Sequence, residues 1–276
     1  MTLRSLHITQ FYTRMLEELL SNIFVNQWAV FGIVTLLLLA LAETGCRFGL
    51  TFQRRNPDTA AGHSGSVQGS VLGLLGLLLG FSFAMAVGRY DARRALVVDE
   101  ANSIGTTWLR ADFLPATHQR EVKELLKRYT RIKLEDSKTE TTREATTRSQ
   151  VEIAKIHQAL WSHAEASAAE KPSPVTVSFI STLNETIDLD ASRKAALRNH
   201  VPAAVWLLLL VVSGCGAWAS GYGSGTGGLR SAFNQWVFPL LIGVVITLIS
   251  DIDRPHQGLI GVSQQPMQDL LDSMQP

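Results

Sequence analysis

Apolar residues run through this chain in two rhythms. In four windows, 23–42, 69–88, 201–222 and 233–250, they are almost unbroken and charge is nearly absent. Each window is about the ~17 to 25 residues that a helix needs to cross a hydrocarbon core, so the pattern predicts four transmembrane helices. Elsewhere apolar positions recur at helical spacing between charged ones. Val122, Leu125, Leu126, Tyr129 and Ile132 form one stripe, and Ile153, Ile156, Leu160, Trp161 and Ala164 a second. Ser173 before Pro174 reads as a helix start, leading to a third face of Val177, Ile180, Asn184, Ile187 and Ala191. No stretch keeps the alternation of a strand. The expected fold is all-α: a polytopic membrane protein with a helical insert between transmembrane helices 2 and 3.

Five segments follow from this. Residues 1–22 form an amphipathic N-terminal helix, with Ile8, Phe11, Met15 and Leu19 on one side and Arg14, Glu17 and Glu18 on the other. It lies in the membrane interface or packs on the inner domain. No secretory cleavage pattern is visible, so it reads as part of the mature protein. Residues 23–88 hold transmembrane helices 1 and 2, 89–200 the insert, 201–250 helices 3 and 4, and 251–276 a C-terminal segment. Residues 56–68 and the glycine-rich 221–228 read as flexible connections, and the polar run 135–150 as a solvated loop or an exposed helix end.

Four crossings put both termini and the insert on one side. Near the span ends that side carries Arg14, Arg89, Arg93, Arg94, Arg193, Lys194, Arg198 and Arg254, against Arg47, Arg54, Arg55 and Arg230 on the other. Eight against four predicts a cytoplasmic insert, and the Arg47, Arg54, Arg55 group is the dissent. Trp28, Trp206, Trp218, Tyr222 and Trp236 sit near span ends, as an aromatic belt does.

In the second window Gly69, Gly73, Gly76 and Gly80 stand at offsets of zero, four, seven and eleven, on one helical face. Such a stripe lets another helix approach closely. In a ring it would instead be a pore wall of bare backbone with Ser82 facing the lumen. Nothing breaks this helix before Pro115, and about 45 residues at ~1.5 Å each make a rod near 70 Å. Arg89, Arg93 and Arg94 fall where it leaves the bilayer, either holding lipid phosphate or ringing a mouth that concentrates anions.

Composition narrows the chemistry. Only 18% of residues are charged, the net charge is +1, and there are two cysteines, Cys46 and Cys215. That leaves out a nucleic-acid binder and a disulfide scaffold. The cysteines read as two separate apolar fillers rather than a bridge. The seven histidines show no i, i+3 or i, i+4 pair, so no metal is expected. Nucleophile elbow, Walker loop, dinucleotide glycines and paired Cys-x-x-Cys are absent, so neither a cofactor nor an enzyme is expected. Glu43 ends the first window beside Arg47 and is placed at the interface. Asp251, Asp253 and Arg254 read as a salt-bridged structural cuff, since two carboxylates fall short of the ~6 to 8 oxygens that calcium takes.

The blocks GLLGLLLGFSFAMAVGRYDARRALVVDEANSIGTTWLRADFLP (73–115), ELLKRYTRIKLE and DIDRPHQGLIGVSQQPMQDL (251–270) resemble the bacterial bestrophin-like membrane family. The resemblance extends in layout to the bestrophins, pentameric anion channels whose second span lines the pore and whose calcium clasp follows the fourth. It implies a homo-oligomer in the bacterial inner membrane whose partners are lipids and small anions. Gly73, Gly76, Gly80, Phe81 and Phe83 would stand near the pore, Arg89 and Arg93 at its mouth, and Asp251 and Asp253 at the clasp. The long acidic run of that clasp is missing here. The competing expectation is a non-conducting scaffold, or a receptor-like protein, whose insert binds a partner.

Overall fold

The computed structural model describes residues 27–55, 64–138, 143–227, 233–254 and 259–274; the expected N-terminal helix 1–22 and Arg230 lie outside them. The described elements are all helical, as the periodicity predicted: α1 (Gln27–Arg55), α2 (Ser64–Arg110), a 3-10 turn (Ala111–Phe113), α3 (Ala116–Lys138), α4 (Arg143–Glu170), α5 (Pro174–Arg198), α6 (Ala203–Thr226), a π turn (Phe233–Val237), α7 (Phe238–Asp253) and α8 (Gln265–Ser273). Four stretches are long and apolar enough to cross a membrane, within Gln27–Arg55, Gln68–Phe113, Pro174–Thr226 and Gln235–Asp253. The chain divides into two compact units. One is Met1–Gly88 with His200–Ile260, the other Arg89–Asn199 with Gly261–Pro276.

In the first unit the fold turns on backbone contact between α1 and α6. A Cβ at Gly45 would strike the Trp218 carbonyl, one at Gly49 the Tyr222 carbonyl, one at Gly221 the Ala42 carbonyl and one at Gly225 the Cys46 carbonyl. Two Gly-x-x-x-Gly pairs therefore interlock, the close approach that drives helix association in lipid. This corrects the reading of 221–228 as a flexible connection: α6 runs on to Thr226, and Gly221 and Gly225 are buried helix-packing residues. Likewise α1 continues beyond the first apolar window to Arg55. Phe48 packs at a tilt on Trp218 and Phe52 on Tyr222, and the Trp218 and Tyr222 rings stack parallel at 5.5 Å. Gly243 of α7 receives Thr35 of α1, and Gly216 of α6 receives Leu72 and Leu75 of α2.

In the second unit α3, α4, α5 and α8 join the second part of α2 around Ile104, Leu126, Tyr129, Leu160, Phe179 and Leu183. The first two stripes face this core except for Trp161, which is 36% exposed. Of the third, Ile180 and Ile187 pack against the core and the rest do not. Val177, Asn184 and Ala191 are exposed, and α5 instead buries Thr176, Phe179, Thr182, Leu183, Thr186 and Asp190. Hydropathy misses that face because its polar groups are satisfied inside. Ser103 bonds Thr186 at 2.9 Å, Thr107 lies 3.2 Å from the same hydroxyl, and Arg110 donates to the Ser178 carbonyl at 2.8 Å. Ser173 caps α5 by accepting from the Thr176 amide at 3.2 Å, with Pro174 in the first turn.

Candidate functional site

The first 25 residues of α2 present two unlike faces. Leu75, Leu79, Ser82 and Ala86 recur at helical spacing and are buried. Gly69, Gly73, Gly76 and Gly80 lie on another face and are exposed. Beyond the local turns of α2 itself, no atom of the described residues lies within 4 Å of where a Cβ would stand at any of them. Only 22% of the apolar window of α2 is buried, against 50% for that of α7. Phe81 is 63% exposed and Phe83 39%. Ser82 follows Gly80 by two residues, about 200° round the helix at 3.6 residues per turn. It is 2% exposed and does not share the glycine face.

The three arginines at the start of the second unit differ among themselves. Arg94 is exposed, Arg89 is half-buried with a buried Nη1 that meets no acceptor among the described residues, and Arg93 is 4% exposed. Arg89 and Arg94 are the members of the group with solvent in reach.

The carboxylates that end α7 bind backbone. Asp251 accepts from the Leu259 and Ile260 amides at 2.9 and 3.1 Å, and Asp253 accepts from the Val201 amide at 3.0 and 3.1 Å. Anions at a helix C-terminus oppose its dipole, and these N–H groups offset that cost. Each of the four oxygens accepts from a backbone amide, and two carboxylates fall short of the ~6 to 8 oxygens that calcium takes. Glu43 takes Arg47 at 2.7 Å and Gln235 of the π turn, which pairs it where α1 passes the aromatic cluster. Cys46 is buried, Cys215 exposed, and neither is bridged.

Sequence reasoning missed a buried ion cluster in the second unit. Glu100 of α2 is fully buried and accepts from Tyr129 and Arg193, with Lys133 at 3.2 Å. Lys133 bridges to Asp190 at 2.8 Å, Lys194 meets Asp190 at 2.6 Å, and Arg193 reaches Gln264 at 3.2 Å. Burial, together with the Glu100 and Asp190 charges, holds the Tyr129 phenol well above its ordinary value, so it stays a donor. Burial pushes the neighbouring His157 down, its ring 5.1 Å from that of Tyr129. Two acids and three bases thus tie α2, α3, α5 and the residues before α8 together. Charges so spaced in sequence carry no periodic signature.

The Bestrophin-like domain model matches residues 34–267. No curated protein matches the chain. Among solved structures, a bacterial Bestrophin homolog from Klebsiella pneumoniae aligns at a TM-score of 0.62 with 14% identity, over 87% of this chain and 95% of that one. A single-residue variant of that homolog aligns at 0.62 over 86% and 94%, and a structure described as a membrane protein at 0.63 over 87% and 95%, both with 14% identity. Family match and four membrane-compatible helices agree: this chain is a membrane protein of the Bestrophin-like family.

Proposed function

We propose that the protein is a homo-oligomeric anion channel of the bacterial inner membrane, with four spans and with the second unit and both termini in the cytoplasm. Copies gather around an axis lined by the glycine face of α2. Anions pass between the exposed backbone at Gly69, Gly73, Gly76 and Gly80, beside Phe81 and Phe83, and Arg89 and Arg94 concentrate them at the cytoplasmic mouth. Ser82 packs within the protomer and Arg93 is interior. Asp251, Asp253 and Arg254 close the end of α7 as a structural cuff. Five copies are what the family layout suggests.

The observation that carries this reading is the emptiness beside those glycines. Gly45, Gly49, Gly221 and Gly225 are each filled by a neighbouring backbone, and the α2 glycines are met by no other part of the protomer among the described residues. The charge balance near span ends supports the orientation. Reconstituted into planar bilayers, the protein carries anion-selective current that Gly76→Leu reduces at least tenfold and Arg89→Ala reduces at low salt. Silent bilayers from folded oligomer overturn conduction and favour the scaffold. Protease cleavage of the second unit from the periplasmic side overturns the orientation.

A further inference from the structure

α3 and α4 bring two histidines ring to ring. His118 Nδ1 lies 3.0 Å from His163 Nδ1, with the rings edge-on at 65°. Behind each ring stands a carboxylate from the opposite helix, Glu170 at 3.4 Å from His118 Nε2 and Glu121 at 3.1 Å from His163 Nε2. The histidine side chains are 18% and 21% exposed, and the carboxylates more than half. A carboxylate beside Nε2 favours a hydrogen there, which leaves Nδ1 available as an acceptor or a ligand. At 3.0 Å the two Nδ1 atoms either share one hydrogen, as an N–H···N bond between unlike tautomers, or turn both lone pairs toward one cation.

We propose that His118 Nδ1 and His163 Nδ1 bind one divalent transition-metal ion, with Glu170 and Glu121 orienting the rings from behind. At the ~2.0 to 2.1 Å of a metal–imidazole bond, the separation subtends about 94°, near the right angle of the square-planar or octahedral sites that nitrogen ligands make with nickel and copper. A carboxylate on the far nitrogen is the outer-shell pattern of metal-bound histidine. Among the described residues no group of three or more His, Cys, Asp and Glu is placed to hold a metal, so water completes the coordination and the ion exchanges readily. Binding pins the start of α3 to the end of α4. The ion takes the place between the two Nδ1 atoms, and because protons compete for the same lone pairs, affinity falls with falling pH.

The test is calorimetric titration of the full-length, untagged protein in detergent with Ni²⁺, at pH 7.5 and 6.0. One site per chain is expected, weaker at pH 6.0. His118→Ala and His163→Ala abolish it, Glu121→Gln weakens it about tenfold or more, and Ni²⁺ raises the melting temperature of the parent protein alone. A parent protein that binds no Ni²⁺, or histidine variants that bind it equally well, overturns the site. If an alanine variant loses its helical circular dichroism, Glu121→Gln decides, because both rings remain: unchanged affinity there overturns the assignment.

Discussion

The molecule holds two sets of glycines that look alike in sequence and differ in what they meet. Gly45 and Gly49 on α1 interlock with Gly221 and Gly225 on α6, each pressed against a neighbouring carbonyl. Gly69, Gly73, Gly76 and Gly80 on α2 have the same small-residue spacing and no neighbour within 4 Å among the described residues. Glycine costs roughly 0.5 to 1 kcal/mol of helix propensity relative to alanine. On α1 and α6, close packing recovers that cost inside the protomer. On α2 no described residue recovers it, and in the proposed channel the benefit lies in what the assembly or the lumen places there. A small-residue stripe therefore states that something approaches without saying whether it is a helix or an ion.

The contrast can be broken most severely at the seam. Gly221→Leu drives a side chain into the Ala42 backbone, where no rotamer escapes, and the expected outcome is loss of folded protein in detergent by size-exclusion chromatography. Gly76→Leu meets open space among the described residues, so its protomer keeps the parent melting temperature within a few degrees while the current falls. If both variants lose folded protein equally, the two stripes are equivalent and the comparison fails.

Removing Glu100 acts in the second unit and sharpens the distinction from the other side. Glu100→Ala leaves Lys133 and Arg193 buried beside an uncompensated gap, at an expected cost of about 3 to 5 kcal/mol in chemical unfolding. Glu100→Gln keeps an acceptor for Tyr129 and costs less. A cost under ~1 kcal/mol for the alanine variant would place the cluster among surface ion pairs.

Alanine gives the finest discrimination. Gly49→Ala destabilises by about 1 to 3 kcal/mol through overpacking, whereas Gly73→Ala is neutral or stabilising by up to ~1 kcal/mol through helix propensity. Thermal unfolding in detergent reads both. A Gly73→Ala oligomer that dissociates more readily means that the α2 face packs another helix rather than lining a lumen.

The smallest expected effect is a pH dependence. His157 has its proton affinity lowered by burial, so the unfolded chain binds a proton more readily than the folded one. Its contribution to stability is complete above its ordinary value of 6.5 and is lost as pH falls below it. His157→Phe flattens the stability profile between about pH 6.5 and 5. A profile unchanged by the substitution removes His157 from the account.

Hydropathy made the four spans and two of the three amphipathic stripes legible, because burial in lipid or against a core of Leu, Ile and Val selects residue type directly. It misassigned the end of α6, where Gly221 and Gly225 look like a linker although their lack of side chain is what the contact requires. It misplaced the buried face of α5, whose Thr182, Thr186 and Asp190 are apolar in neither composition nor scale but find partners inside. The Glu100 cluster and the His118–His163 pair were beyond reach for a different reason: their members lie on separate helices, and only tertiary packing sets their spacing. The exposed stripe of α2 was visible as a spacing, and its emptiness was not.

Whether that emptiness is a lumen can be measured at one residue. Gly76→Cys, made in a chain with Cys46→Ala and Cys215→Ala, is reconstituted and exposed to a charged, membrane-impermeant thiol reagent during current recording. The reagent is expected to reach position 76 and block the anion current, with a reducing agent restoring it. Contradiction comes from a folded, conducting oligomer whose current ignores the reagent, because position 76 then faces lipid or a neighbouring helix.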